Sequence, residues 1–294
     1  MSQRFVSSAG ASSSHLPSLN LKRLIPQESR HTAYYNTIKT FVNEGNGAEA
    51  EKWLRKLVGE RLAPTVSAYN MVMSGYARKG QIQNVIRAFE SISADGMTHP
   101  NVTSYNVILE ALARDHDTKL AQLTRWYGRL CRQDLEPDAV TFSLLINSCV
   151  QKSNLHLAKH YIKKCVELNL TLSIDLYKNI INACAKAEDA LSAVEIVEIM
   201  VSQGAKPDAQ VHQAVVHAFC AQNNPKAALS WFNNMRDGGF TPDSGTWSSV
   251  IGVCARNHDE PTARRLMQDM QISGTRPDAQ FFSVLKRRRK RYKI

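Results

Sequence analysis

A short motif ending in Pro-Asp recurs along this chain at a fixed interval. It occurs at Lys206-Pro207-Asp208 and then, after 35 residues each time, at Thr241-Pro242-Asp243 and Arg276-Pro277-Asp278. Glu136-Pro137-Asp138 lies two such intervals before the first of these. Small residues keep the same interval, at Ala158, Ala193, Ala228 and Ala263. A fixed period of roughly 20 to 50 residues is typical of repeat arrays, so the interval constrains the fold before any single residue is considered.

Each unit carries two apolar runs with helical spacing. In residues 174–208 the first run follows Tyr177, and the second occupies residues 193–200. Gly204 suits the left-handed position that ends a helix, and Pro207 cannot continue one. A hairpin of two such helices cannot bury both apolar faces by itself, so neighbouring hairpins must stack on it. We therefore predict an all-α fold, a right-handed α-solenoid of about seven helix-turn-helix repeats and about fifteen helices.

The register divides the chain into three parts. Residues 1–31 are expected to be a disordered leader, residues 32–285 the repeat array and residues 286–294 a basic C-terminal tail. Within the array we place repeats at 32–65, 66–101, 102–138, 139–173, 174–208, 209–243 and 244–278, with 279–285 beginning an eighth.

The repeat resembles a known family. An aromatic residue followed by asparagine occurs at Tyr35-Asn36, Tyr69-Asn70 and Tyr105-Asn106, and a glycine and the Pro-Asp motif close the later units. On a period of about 35 residues, these features resemble the pentatricopeptide repeat (PPR), in its P-type array. The related tetratricopeptide repeat has a different first-helix pattern and a period of about 34 residues.

The resemblance implies that the chain binds single-stranded RNA, with one base recognised per repeat by two side chains. In the family these are the residue after the first-helix aromatic and the last residue of the repeat; we call them a recognition pair. Carried over to this chain, the recognition pairs are Asn36 with Thr65, Asn70 with Asn101, Asn106 with Asp138, Ser143 with Ser173, Lys178 with Asp208, Gln213 with Asp243, and Ser248 with Asp278.

The recognition pairs differ in how well they follow the family. By analogy, Asn106 with Asp138 favours uracil, Asn70 with Asn101 favours a pyrimidine, and Ser248 with Asp278 favours guanine. Lys178 and Gln213 depart from the usual asparagine, serine or threonine. The family also prefers an apolar residue three positions before the first member of a pair, and Val140 conforms. We therefore expect only a few repeats to select a base.

The same residues admit a second interpretation. Aspartate after proline commonly caps the next helix, and asparagine in a first turn satisfies backbone donors. The array holds 26 of the 37 basic residues and 25 of the 26 acidic ones, so its net charge is close to neutral. The sequence thus favours an RNA-binding adaptor in organelle RNA processing, stability or translation, which recruits processing factors. A protein-interaction scaffold without RNA specificity is the alternative.

Other function classes have little support. The chain has no Cys-x-x-Cys motif, no nucleotide-binding glycine-rich loop and no apolar run of membrane-spanning length. His156 and His160 have helical spacing but no third ligand nearby in the sequence. Most of the six cysteines keep the repeat register and are expected to pack in the core. We therefore expect no enzymatic activity, cofactor, metal, membrane or small-molecule substrate.

The leader is rich in serine, contains Arg4, Lys22, Arg23 and Arg30, and has Glu28 as its one acidic residue. This balance is typical of an organelle transit peptide, whereas the alternative is a disordered leader with no targeting role. The expected location is the mitochondrion or the chloroplast, ahead of the nucleus.

The C-terminal tail is the most basic segment of the chain. Arg287, Arg288 and Arg289 lie in a run from 286 to 293 that carries seven of the eleven net positive charges. The run is interpreted as a phosphate clamp, with a solubilising cap and a nuclear-import signal as alternatives. On a single strand, each neutralised phosphate contributes about −0.7 to the slope of log K against log salt. If the tail engages about four to six phosphates, deleting 286–294 should flatten the measured slope by about 3 to 4. An unchanged slope and affinity would leave only the cap or signal interpretations.

Overall fold

The computed structural model of the protein describes residues 27–60, 62–94 and 98–276. These residues form fourteen helices and no β-strand. In chain order the helices are α1 Gln27–Asn43, α2 Gly47–Gly59, α3 Val66–Arg78, α4 Ile82–Ala94, α5 Val102–Arg114, α6 Leu120–Cys131, α7 Ala139–Gln151, α8 Leu155–Glu167, α9 Ile174–Lys186, α10 Ala190–Ser202, α11 Ala209–Ala221, α12 Pro225–Asp237, α13 Ser244–Arg256 and α14 Glu260–Ile272.

The helices stack as seven hairpins. Each odd-numbered helix packs against the even-numbered helix that follows it and against the next odd-numbered helix. Consecutive even-numbered helices make few contacts with one another within the described chain. The odd-numbered, or first, helices therefore form a close inner layer, and the second helices form a more open outer layer. The predicted α-solenoid of two-helix repeats is confirmed.

In the last four hairpins, a polar residue caps the start of the second helix. The side chains of Asn154, Asp189, Asn224 and Asp259 cap the second helices α8, α10, α12 and α14. The residue just before each cap has a left-handed backbone with φ between 55° and 60°, a conformation that turns the chain sharply between antiparallel helices. These turns recur with the 35-residue interval, at Ser153, Glu188, Asn223 and His258.

The small residues of the repeat lie where the helices meet. Ala158, Ala193 and Ala228 have no exposed surface, and Ala263 is 3% exposed, so all four are buried in the core. Five of the cysteines are buried as expected: Cys149, Cys165, Cys184, Cys220 and Cys254. Burial raises the pKa of the Cys149, Cys165, Cys184 and Cys254 thiols to about 11. Cys131 differs, since it is exposed.

The structure changes one expected boundary. Helix α1 begins at Gln27, so residues 27–31 are helical although the sequence placed them in the leader. The rest of the leader, the eighth repeat at 279–285 and the basic tail lie outside the described residues. Among the described helices, none is both long and apolar enough to cross a bilayer.

Replacing Ala193 by leucine should destabilise the array because this position has no free volume. Overpacking of this kind costs about 1–3 kcal/mol, which urea unfolding followed by circular dichroism would detect. Ala187→Leu is the matched control, since Ala187 is exposed at the end of α9. Equal stability of the two variants would contradict the assigned helix contact.

Candidate nucleic-acid interface

The recognition pairs lie at the junctions between repeats, on the inner layer. The first member stands in the second turn of a first helix, and the second member stands at the N-cap of the next first helix. Because consecutive first helices pack together, two residues far apart in sequence come within hydrogen-bond distance. The structure therefore shows which members of a pair are bonded to each other, whereas their contact with RNA stays a prediction.

The repeat 102–138 contains the most complete pair. Asn106 donates from Nδ2 to Asp138 Oδ1 at 3.0 Å. The same Oδ1 accepts the Thr141 backbone N–H at 2.8 Å, which makes Asp138 the N-cap of α7. Asn106 is 8% exposed. The Thr141 hydroxyl also lies 2.8 Å from Oδ1, so all of these hydrogen bonds fall on Oδ1 and none of them uses the second carboxylate oxygen of Asp138.

The local hydrogen bonds keep Asp138 ionised. Burial alone would raise the pKa of its carboxyl group, but the backbone N–H of Thr141 and the side chains of Asn106 and Thr141 outweigh burial and hold this pKa below its ordinary value. The pair thus offers a negative acceptor beside the remaining amide proton of Asn106. Val140, two residues further on, presents an exposed apolar side chain next to this polar pair.

The repeat 66–101 forms a related pair built from two amides. Asn70 Nδ2 donates to Asn101 Oδ1 at 3.3 Å, and Asn101 Oδ1 also caps α5 by accepting the Ser104 backbone N–H at 3.0 Å. Asn70 is 8% exposed, and its Oδ1 is buried without a hydrogen-bond partner. The pair borders a cleft of about 410 Å³ that Lys39 and Arg78 also line.

The repeat 174–208 forms an ion pair instead. Lys178 Nζ lies 2.6 Å from Asp208 Oδ2, while Asp208 Oδ1 caps α11 by accepting the Val211 backbone N–H at 3.1 Å. The hydrogen bond to Asp208 raises the pKa of Lys178. Burial opposes ionisation of Asp208, but the Lys178 ammonium and the backbone donor lower its carboxyl pKa. Both oxygens of Asp208 are therefore engaged within the protein.

Three other expected pairs do not form a mutual hydrogen bond in the described chain. The Tyr35 hydroxyl, rather than Asn36, is bonded to Thr65. Ser143 donates to the Ala139 carbonyl of its own helix at 2.7 Å, and Ser173 caps α9.

In the repeat 209–243, Asp243 caps α13 through the Thr246 backbone N–H at 2.8 Å, whereas Gln213 does not reach it. Ser248 is buried and donates to the Ser244 carbonyl at 2.7 Å. Its expected partner Asp278 lies outside the described residues, as do Arg287, Arg288 and Arg289.

The capping interpretation and the recognition pairs therefore coexist. From Asn101 to Asp243 the last residue of each repeat caps the next first helix, and Thr65 occupies the same place without a side-chain bond. The sequence interpretation missed Ser104 and Thr141, whose hydroxyls complete capping boxes. Their position three residues after the cap is the signal that would have found them.

A larger polar cleft lies between α7 and α9. It has a volume of about 730 Å³ and is lined in part by Asn147, Gln151, Asn179, Asn182 and Lys186. The inner layer thus offers amide groups beyond the recognition pairs.

Comparison with known families agrees with this geometry. Residues 64–114 match the model described as "PPR repeat family", residues 128–187 match "Pentatricopeptide repeat domain", and residues 173–285 match "Pentacotripeptide-repeat region of PRORP". Between them, these matches cover most of the array. The chain belongs to the pentatricopeptide repeat family.

Curated PPR relatives are distant and much longer. The mitochondrial 15S rRNA processing factor CCM1 of Yarrowia lipolytica is 20% identical over 158 residues, which are 53% of this chain and 20% of the relative. The pentatricopeptide repeat-containing protein At3g09650, chloroplastic, of Arabidopsis thaliana is 20% identical over 175 residues, 58% of this chain and 22% of the relative. The chain therefore spans about a fifth of the length of these relatives.

Solved PPR structures share the fold. The crystal structure of PPR10 from maize superposes with a TM-score of 0.54 at 21% identity, over 88% of this chain and 37% of that one. The PPR domain of Arabidopsis thaliana protein-only RNase P 1, solved in complex with tRNA, gives a TM-score of 0.51 at 16% identity, over 62% of this chain and 94% of that one. At these identities the likeness shows the α-solenoid fold alone.

Asp138→Asn should cost stability in a pH-dependent way. Because the folded-state pKa of Asp138 is lowered, its stabilising effect is present above the unfolded pKa and is lost as pH falls through the folded pKa. Allowing for partial exposure, we expect a loss of about 1 kcal/mol at pH 7 that shrinks below about pH 4. Urea unfolding at both pH values measures it. Asp117→Asn, at an exposed aspartate, is the control, and a deficit that persists at low pH would contradict the assignment.

Proposed function

We propose that this PPR chain binds single-stranded RNA with base selectivity, and that it acts as an adaptor in organelle RNA processing, stability or translation. The observation that carries the proposal is the pair Asn106 with Asp138. After capping α7 and bonding to each other, these side chains keep one amide proton and one carboxylate oxygen for a ligand on the inner layer.

The free groups suit the edge of a base. Uracil presents a ring N–H beside a carbonyl oxygen, so Asp138 Oδ2 accepts the N–H while Asn106 Nδ2 donates to the carbonyl. A hydrogen bond to an ionised acceptor is stronger than one between neutral groups. Exposed Val140 offers an apolar surface for the ring. The pair Asn70 with Asn101 has no ionised acceptor, and by family analogy it favours a pyrimidine.

Not every repeat selects a base in this proposal. Lys178 occupies Oδ2 of Asp208, and the Val211 backbone N–H occupies Oδ1, so the repeat 174–208 has no acceptor to offer. Ser143 is engaged with its own helix. Base selection is therefore concentrated in the adjacent repeats 66–101 and 102–138, and the basic tail with Arg287, Arg288 and Arg289 supplies affinity that does not depend on sequence.

The cellular role is proposed from the relatives. A 15S rRNA processing factor and several proteins named mitochondrial or chloroplastic are among them. We propose an organelle location for this chain and an adaptor role in which processing factors are recruited. Catalytic activity is not part of the proposal.

Selection from a random single-stranded RNA pool tests the function. We expect two neighbouring enriched positions, a pyrimidine and a uracil, because the selecting repeats are consecutive. Asn106→Ala should remove the uracil preference and leave its neighbour, and Asn70→Ala should do the reverse. Equal binding of all sequences by the wild type would favour the protein-interaction scaffold.

The variant Lys178→Asn can be tested in the same RNA selection experiment. Removing the ammonium frees Asp208 Oδ2, so a third enriched position should appear two bases from the uracil, with about a fivefold to tenfold preference. Lys206→Asn is the control, since it removes the same charge from an exposed position in the neighbouring loop. A third position that appears in both variants or in neither would contradict the closed ion pair.

A further inference from the structure

The pairs Asn106 with Asp138 and Asn70 with Asn101 differ in the hydrogen bonding of the first asparagine's amide oxygen. Thr141 Oγ1 lies 2.7 Å from Asn106 Oδ1, whereas Asn70 Oδ1 is buried with no partner. Thr141 is itself fully buried and belongs to the following repeat. The contrast bears on selectivity because an amide can present either oxygen or nitrogen to a base, depending on which way it is turned.

Charge fixes the orientation of Asn106. Its side chain faces Asp138 Oδ1 at 3.0 Å, and only the Nδ2 end can be placed there without opposing an ionised carboxylate. The Oδ1 end therefore points to the Thr141 hydroxyl. That hydroxyl accepts the Asp138 backbone N–H at 3.3 Å, and its one proton faces both Asn106 Oδ1 at 2.7 Å and Asp138 Oδ1 at 2.8 Å, so the hydroxyl bridges the two members of the pair.

The hydrogen bonds of Asn106 determine which of its atoms a ligand can contact. Its oxygen is held by Thr141 and one amide proton by Asp138, so a ligand meets only the second amide proton. Asp138 Oδ2 can only accept. The pair thus presents a donor and an acceptor in a fixed order.

Asn70 lacks this constraint on its oxygen. Asn101 Oδ1 is held as an acceptor by the Ser104 backbone N–H, so Asn70 turns Nδ2 toward it and keeps Oδ1 unpartnered. The Ser104 hydroxyl lies 3.0 Å from Asn101 Oδ1 and bonds the cap instead of Asn70. Asn70 Oδ1 is buried as well as unpartnered, so a ligand meets the exposed amide of Asn101 and no ionised acceptor.

We propose that Thr141 is a positioning residue that makes the repeat 102–138 distinguish uracil from cytosine. The proposal rests on the proposed RNA-binding function. Uracil presents a ring N–H followed by a carbonyl, and cytosine presents a ring acceptor followed by an amino group. The pair Asn106 with Asp138 offers one donor and one ionised acceptor and so separates them, whereas the two amides of Asn70 and Asn101 have no ionised acceptor for the ring N–H. Base selection by one repeat therefore depends on a hydroxyl supplied by the next.

The test replaces the Thr141 hydroxyl and measures the ratio of uracil to cytosine affinity at the position that faces 102–138. Thr141→Val keeps the shape but removes the proton donor, so the ratio should fall by about tenfold. Thr141→Ser restores a hydroxyl and should stay within about twofold of the wild type. The ratio at the neighbouring position, which faces 66–101, should not change in either variant.

Thr246→Val controls for stability. Thr246 is buried at the equivalent position of α13, but its hydroxyl faces His217 Nε2 at 3.4 Å rather than a recognition pair. It removes a buried threonine hydroxyl in the same way and should leave the ratio unchanged. The proposal is overturned if Thr141→Val keeps the wild-type ratio, or if Thr141→Ser loses as much as Thr141→Val, since the methyl contact would then be responsible.

A measurement without RNA separates this proposal from the RNA-binding function and does not depend on the folding of any variant. By NMR, the side-chain amide protons of Asn106 in the wild type should exchange with water at least about tenfold more slowly than those of exposed Asn179. Equal exchange would overturn the role of Thr141 even if RNA is bound selectively. Slow exchange with no base selection would instead refute the proposed function.

Discussion

The unpaired backbone N–H groups at the start of each first helix are the constraint on which the rest of this structure depends. A helix leaves its first N–H groups without intrahelical partners. Here the last residue of each repeat supplies an acceptor to the next first helix, from Asn101 through Asp138, Ser173 and Asp208 to Asp243. This contact stands at the junction between repeats. The bond that begins a helix therefore also fixes the end of one repeat against the first helix beside it.

Capping and recognition share a side chain but use different atoms. Asp138 Oδ1 accepts hydrogen bonds from the start of α7 and from the amide of Asn106. These bonds form on folding, and they fix the orientation of Oδ2. The conformational cost of ordering the carboxylate is then met before any ligand arrives, and preorganisation of this kind favours binding. At Asp208, Lys178 binds the second carboxylate oxygen. The cap on α11 remains, but no acceptor oxygen is left free. One position can therefore cap a helix in five successive repeats and, in the proposed function, bind a base in only some of them.

The fold was more predictable than the site. The interval located the hairpins, the buried alanines and most of the core cysteines, because these follow from short-range helical spacing. Of the seven expected pairs, three are joined by a hydrogen bond or an ion pair, at 70 with 101, 106 with 138 and 178 with 208. Ser143 does not bond its expected partner because a serine inside a helix can bond its own backbone instead. The sequence interpretation missed Thr141 because it assigned only two residues per repeat to base recognition.

By itself, the sequence determined the number, order and capping of the helices, because these depend on residues close together in the chain. The positions of Ala193 in the core and of Asp138 at a helix start belong to this class. Only the tertiary structure decided which side-chain atoms stay free on the inner layer. Those atoms are chosen by contacts of 3.0 to 3.3 Å between residues 31 or 32 positions apart, and the stacking of first helices sets these distances. A local pattern cannot encode them, since the same residue types meet or miss according to how neighbouring repeats pack.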